Sequence, residues 1–154
     1  MIDTALLDQL TAEAKADGVQ QLVVGGIVRS GDTVLLLRRP ADDFMGGIYE
    51  LPSGKVDPGE ALDAALTREV KDETGLDVTA IGEYLGSFDY QSGSGKLSRQ
   101  FNFSADVTAT EPVVLTEHDK HLWSPLTAEP PVTDAVKTVL DSYRTGQPKA
   151  AGSQ

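Results

Sequence analysis

The sequence has 154 residues, enough for one domain with a true core and too few for two ordinary ones. A net charge of -11, from 13 basic and 24 acidic residues, excludes the clustered positive field that grips a nucleic-acid polymer. The absence of cysteine removes disulfides, thiolate metal sites and cysteine nucleophiles together, and fits a reducing compartment.

In chain order, the N-terminal segment carries acids where a signal peptide needs bases. No apolar run approaches the roughly 18 residues of a spanning helix, so the expectation is a cytoplasmic protein without a membrane partner. Leu6, Leu7, Leu10 and Ala14 recur at helical spacing before Gly18, predicting a short amphipathic helix over 4–16. In "QLVVGGIVRSGDTVLLLRRP" two apolar runs are split by Ser30-Gly31-Asp32, a hairpin signal, and Pro40 stops the second run. "ADDFMGG" reads as a loop and "IYELP" as a short strand. A helix is predicted from about 58 to 74, started by Asp57 and Pro58 and ended by Gly75.

Beyond it, "DVTAIGEYLGSFDYQ" and "LSRQFNFSADVTA" read as strands joined by the turn "SGSGK", and "HLWSP" as a last strand. Val132, Val136, Val139, Leu140 and Tyr143 predict a helix over 131–145 ended by Gly146, with a loose tail over 147–154. The pattern predicts one α/β domain over 1–146: a mixed sheet with helices on its faces.

The helix at 58–74 changes character along its length. At about 100° per residue, Leu62, Ala65, Leu66 and Val70 share a face, and Glu69, Asp72 and Glu73 continue it while Ala64, Thr67 and Lys71 point away. Three like charges at a core edge resist desolvation, and Arg68 alone does not neutralise them. A solvated acidic patch is the plain reading. The phase of the stripe favours a second one, hard oxygen ligands at i, i+3 and i+4 that suit Mg²⁺ or Mn²⁺. Glu60, three residues after Asp57, has the spacing of a capping box. In the 97–103 strand, Phe101 and Phe103 read as core; Gln100 and Asn102, on the other face, offer amides to a base edge or sugar. Tyr90 and Trp123 read as core residues with stacking as their alternative.

The stretch resembles the box of the MutT-like Nudix hydrolases, Gly-x5-Glu-x7-Arg-Glu-apolar-x-Glu-Glu-x-Gly-apolar. Gly54, Glu60, Arg68, Glu69, Val70, Glu73, Gly75 and Leu76 match it, and Asp72 stands where the pattern has Glu. The resemblance implies an α/β/α sandwich and a metal-dependent hydrolase of nucleoside diphosphates linked to another group. It implies Mg²⁺ or Mn²⁺ held by Glu69, Glu73, Asp72 and the carbonyl of Ser53, with Glu60 and Arg68 tying helix to loop and Gly54 and Gly75 shaping the box. The base that takes the proton varies within the family, and Glu117 on the later loop is its candidate here, with His118 and Asp119 as neighbours. Arg38, Lys55 and Gln100 are the candidate substrate-binding residues. A nucleoside triphosphate or modified dNTP, cleaved to NMP and pyrophosphate, is the expected substrate. A nucleotide sugar such as ADP-ribose is the alternative, and a nucleotide sensor without catalysis is the rival class. A homodimer is common in the family.

Overall fold

The computed structural model describes residues 2–42 and 46–145; the expected end of the last helix at Gly146 and the tail lie outside them, as does part of the "ADDFMGG" loop. The elements run α1 (Thr4–Ala16), β1 (Gln21–Ser30), β2 (Thr33–Arg38), β3 (Tyr49–Glu50), β4 (Ser53–Lys55), α2 (Leu62–Thr74), β5 (Val78–Gln91), β6 (Leu97–Val107), β7 (Lys120–Pro125) and α3 (Asp134–Thr145). Among the described residues no helix is long and apolar enough to cross a membrane.

The sheet is mixed, in the order β3-β2-β1-β6-β5, with β4 paired to β1 and β7 to β2. β1 and β2 form the expected hairpin, Ser30 opposite Thr33, with Gly31 at φ 58° supplying the positive φ of a tight two-residue turn. β1 then runs parallel to β6, from Gln21 opposite Ser98 to Val28 opposite Ala105, a pairing between distant segments that no local signal announces.

Each face carries its own apolar cluster. Under α1 and α2 lie Leu7, Leu10, Leu62, Ala65, Leu66 and Val70 with Val24, Phe101 and Phe103. Under α3 lie Val136, Val139 and Leu140 with Ile27, Leu36, Leu51 and Leu85. Burying each of the larger side chains, Val, Leu, Ile or Phe, is worth roughly 1.5–3 kcal/mol, and the two clusters together give the expected α/β/α layering.

Two boundaries differ from expectation. α2 starts at Leu62 and not near 58, because Asp57–Glu60 closes a turn, with Glu60 N–H donating to the Asp57 carbonyl at 3.0 Å. Gly59 in that turn has φ 78°, outside helical space. The residue preceding α2 is Ala61, which gives no side-chain cap, so Asp57 is not the helix cap. α3 likewise starts at Asp134, three residues after the predicted 131.

Candidate active site at the second half of α2

α2 is held on the sheet by its first half. Leu62, Ala65 and Leu66 are essentially inaccessible, and Gly26 of β1 gives room for the Leu66 side chain. The same stripe continues through Val70 to Glu73, which is 9% exposed. Gly75 ends the helix in the left-handed conformation, its N–H donating to the Lys71 carbonyl at 2.9 Å.

The Glu73 carboxylate accepts a hydrogen bond from the Ser53 N–H at 2.9 Å. Gly54 lies so close to Glu69 that a Cβ there would overlap its carboxylate. Only a residue without a side chain admits this contact between loop and helix. Arg68 clamps the same loop: Nε and Nη2 donate to the two Glu60 oxygens at 2.9 and 2.8 Å, Nη2 also to the Lys55 carbonyl and Nη1 to Glu69, both at 2.9 Å. Glu60 in turn accepts from the Asp57 N–H at 2.9 Å. That bond is half of the capping box read from the sequence, formed inside a turn instead of a helix start. The Arg68 contact, followed by this backbone bond, lowers the Glu60 carboxyl to about 2.

Burial drives the Glu73 carboxyl up to about 7, with the charges of Glu69 and Glu50 adding to the effect and the Ser53 N–H and His118 opposing it. Burial also raises Glu69, aided by Asp72 and Glu117 and opposed by Arg68. A helix thus brings two carboxylates to one buried edge at the expense of their ionisation. Asp72 differs: its side chain is 62% exposed, 3.7 Å from Arg68 Nη1.

Across from Glu73 stands a pair that the sequence reading did not assemble. Glu50 of β3, which no local pattern marks, accepts from His118 Nε2 at 2.7 Å and pairs with Arg39 at 3.3 Å. His118 is 5% exposed on its side chain, and its buried Nδ1 has no hydrogen-bond partner among the described residues. Burial alone would lower its pKa; the Glu50 bond and the charges of Glu73 and Glu117 prevail and raise it. Only tertiary folding joins residue 50 to residue 118, so the sequence signal was limited to a histidine beside Glu117.

Glu50 and Ser53 also line a pocket of about 490 Å³ with Arg39, Tyr49, Phe88 and Gln100, over the start of α3. Tyr90 lines it too, 38% exposed and 6.1 Å from Phe88 between ring centroids, and so is not a core residue. The arginine that faces this pocket is Arg39, not Arg38. Arg38 is engaged by Asp119 through two bonds of 2.9 and 2.8 Å. Lys55 is exposed and meets Arg68 through its backbone carbonyl. The structure therefore brings Glu69, Glu73, Ser53 and Gly54 together beside the pocket, with Glu117 in electrostatic range of Glu69; of the expected substrate-binding residues Gln100 lines the pocket, and Arg38 and Lys55 do not.

Among the described residues no three acidic or histidine side chains converge on one point. The donor set still fits a small hard cation, because Mg²⁺ keeps several waters and takes only one or two protein carboxylates besides phosphate oxygens. Two partly desolvated carboxylates with raised pKa values, beside a backbone loop drawn tight by a glycine, are such a partial set.

Comparison with known proteins adds an independent line. The NUDIX domain model matches residues 19–140. The CTP pyrophosphohydrolase of Escherichia coli is 40% identical over 65 residues, 42% of this chain and 47% of that protein. A putative 8-oxo-dGTP diphosphatase 2 of Mycobacterium tuberculosis is 43% identical over 70 residues, 44% of this chain and 50% of its own. The matched segment spans about half the length of these curated relatives. The crystal structure of the MutT protein from Methanosarcina mazei Go1 superposes with a TM-score of 0.69 at 26% identity, covering 82% of this chain and 94% of that one.

Proposed function

Because the chain belongs to the NUDIX family, we propose that it is a metal-dependent pyrophosphohydrolase that cleaves a nucleoside triphosphate to the monophosphate and pyrophosphate. One observation carries the reading: Glu69 and Glu73 continue the buried stripe of α2 and meet the Ser53–Gly54 backbone beside a nucleoside-sized pocket.

Glu69 and Glu73 would hold the divalent cation, Mg²⁺ or Mn²⁺, with the Ser53 carbonyl as a further oxygen ligand and Asp72 in an outer, exposed role. A bound cation supplies neutralisation of phosphate charge and a lower pKa for the attacking water. Glu117 takes the proton of the attacking water as the water oxygen bonds to phosphorus and the bridging P–O bond breaks, releasing the monophosphate and pyrophosphate. Arg39, fixed on Glu50, binds phosphate oxygens at the pocket mouth in the place first expected of Arg38. Arg68 and Glu60 keep the 53–60 loop against the helix and touch no substrate. The acidic composition and the absence of a basic field favour a small nucleotide over a polymer.

The test is product analysis across nucleoside triphosphates, modified dNTPs and ADP-ribose with Mg²⁺. Release of pyrophosphate and monophosphate from triphosphates supports the reading. Turnover of ADP-ribose alone would move the substrate to the nucleotide sugars, and binding without turnover of any nucleotide would make the protein a sensor.

A further inference from the structure

β6 turns two buried amides toward the α3 side of the sheet, where the chemistry of phosphate cleavage has no use for them. Gln100 is 7% exposed and Asn102 is fully buried. The Asn102 Nδ2 donates to the Gly86 carbonyl at 3.0 Å and to the Gln100 carbonyl at 3.3 Å. Both of its amide hydrogens are thereby committed, and its Oδ1 accepts from Gln100 Nε2 at 2.8 Å. These bonds decide which end of the Gln100 amide is nitrogen. Among the described residues nothing donates to Gln100 Oε1, and Gln100 lines the pocket shared with Glu50 and Ser53. Gly25 of β1 pairs with Asn102 on one side and Ser53 on the other. A Cβ at Gly25 would overlap Gln100 Nε2 and stand 2.6 Å from Asn102 Oδ1, so the amide pair exists only because this position has no side chain.

We propose that Gln100 is the specificity-determining residue of this pocket, that Asn102 and Gly25 position it, and that it selects nucleotides whose base carries an exocyclic amine. The proposal rests on the pyrophosphohydrolase reading above. An unconstrained glutamine amide turns over and meets a donor or an acceptor equally well. Here the turn would set Gln100 Oε1 against Asn102 Oδ1, and Asn102 cannot follow without abandoning two carbonyls. The pocket therefore keeps an acceptor. The amine of cytosine, adenine or guanine satisfies it. The carbonyl that uracil or hypoxanthine presents instead faces oxygen with oxygen and leaves a buried acceptor unpaired. Phe88 and Tyr90 supply the flat apolar contact for the ring.

The experiment measures kcat/KM for CTP against UTP and for ATP against ITP with Mg²⁺, and equilibrium binding of CMP against UMP by calorimetry. The wild type is expected to favour the amine-bearing member about 10- to 100-fold in whichever pair it turns over faster. Asn102→Ala frees the amide, and the ratio is expected to fall to within about threefold of one as the oxo nucleotide gains. Gln100→Leu keeps the volume and removes the acceptor, so the same collapse is expected through a higher KM for the amine-bearing nucleotide; it answers the question if Asn102→Ala does not fold. Turnover with a wild-type ratio near one, or a ratio unchanged in both variants, overturns the inference and leaves the hydrolase reading standing. Preferential CMP binding that collapses in the variants, without hydrolysis of any nucleotide, supports the inference and removes the hydrolase reading. No hydrolysis with equal or absent binding of CMP and UMP overturns both.

Discussion

The two halves of α2 share one inward stripe but differ in kind and in depth, fully buried at Leu62, Ala65 and Leu66, half-buried at Glu69 and buried again at Glu73. Leu62, Ala65 and Leu66 present hydrocarbon to the sheet, while Glu69 and Glu73 present charge to a loop on the same side of the helix. In the first half burial and stability point the same way. In the second half burial opposes ionisation, and the helix holds its carboxylates there only because the first half is anchored. A helix can thus be divided by purpose without any break in its geometry. The anchoring half is judged by stability and the charged half by activity.

Variants separate the halves. Glu73→Gln is expected to lower Mg²⁺-dependent turnover at least about 100-fold, since even supporting residues of metal sites cost 10- to 100-fold. The same variant is expected to raise the denaturation midpoint of the metal-free protein, because it removes a desolvated charge; a fall in both quantities would dissolve the contrast. Leu66→Ala is expected to lose about 2–5 kcal/mol of stability, read as a lower urea midpoint at unchanged m, with KM little changed in the protein that remains folded.

Gly54→Ala joins the halves to the loop. Its methyl displaces the Glu69 carboxylate, and a loss of roughly tenfold or more in kcat/KM with intact circular dichroism is the outcome that fits. Asp72→Asn, at an exposed side chain, is expected to cost only a few-fold. The smallest effect belongs to Glu60→Gln. The Glu60 pKa is depressed in the folded chain, from 4.5 to about 2, so its contribution is present above pH 4.5 and is lost as pH falls toward 2. The wild type is therefore expected to melt slightly above the variant at pH 7, and the gap should narrow below pH 4.5. A gap that widens on acidification contradicts the assigned pairing.

Local patterns in the sequence carried much of the fold. The 30–33 hairpin was legible because a glycine with positive φ sits between two apolar runs, and the stripe of α2 because its period is unbroken into Glu73. The start of α2 was misread because Pro58 and Glu60 have helix-start spacing, while the conformation that overrules them belongs to Gly59. Glu69 and Glu73 were nameable from the helical stripe within one segment, and the tie between Arg68 and Glu60 from the resemblance to the box. Glu50 was not, and although His118 stood beside Glu117 in the sequence reading, its meeting with Glu50 and Arg39 depends on β2, β3 and the 116–119 segment converging in space. Arg38, the expected substrate-binding residue, is turned to Asp119, and its neighbour Arg39 lines the pocket instead.

The parallel pairing of β1 with β6 has a consequence for how the molecule comes into being. β1 lies near the start of the chain, and its eight-residue partner register closes only with residues 98–105. Gly25 sits between Ser53 and Asn102 in that arrangement, so its pairing with β4 closes within residues 21–55 while the amide lock is finished only by the late contact with β6. On the ribosome, α1, the first hairpin and α2 emerge with their central strand open along one side. Closure over so long a loop is entropically slow, and the exposed strand edge is the stretch on which a nascent or heat-stressed chain would aggregate.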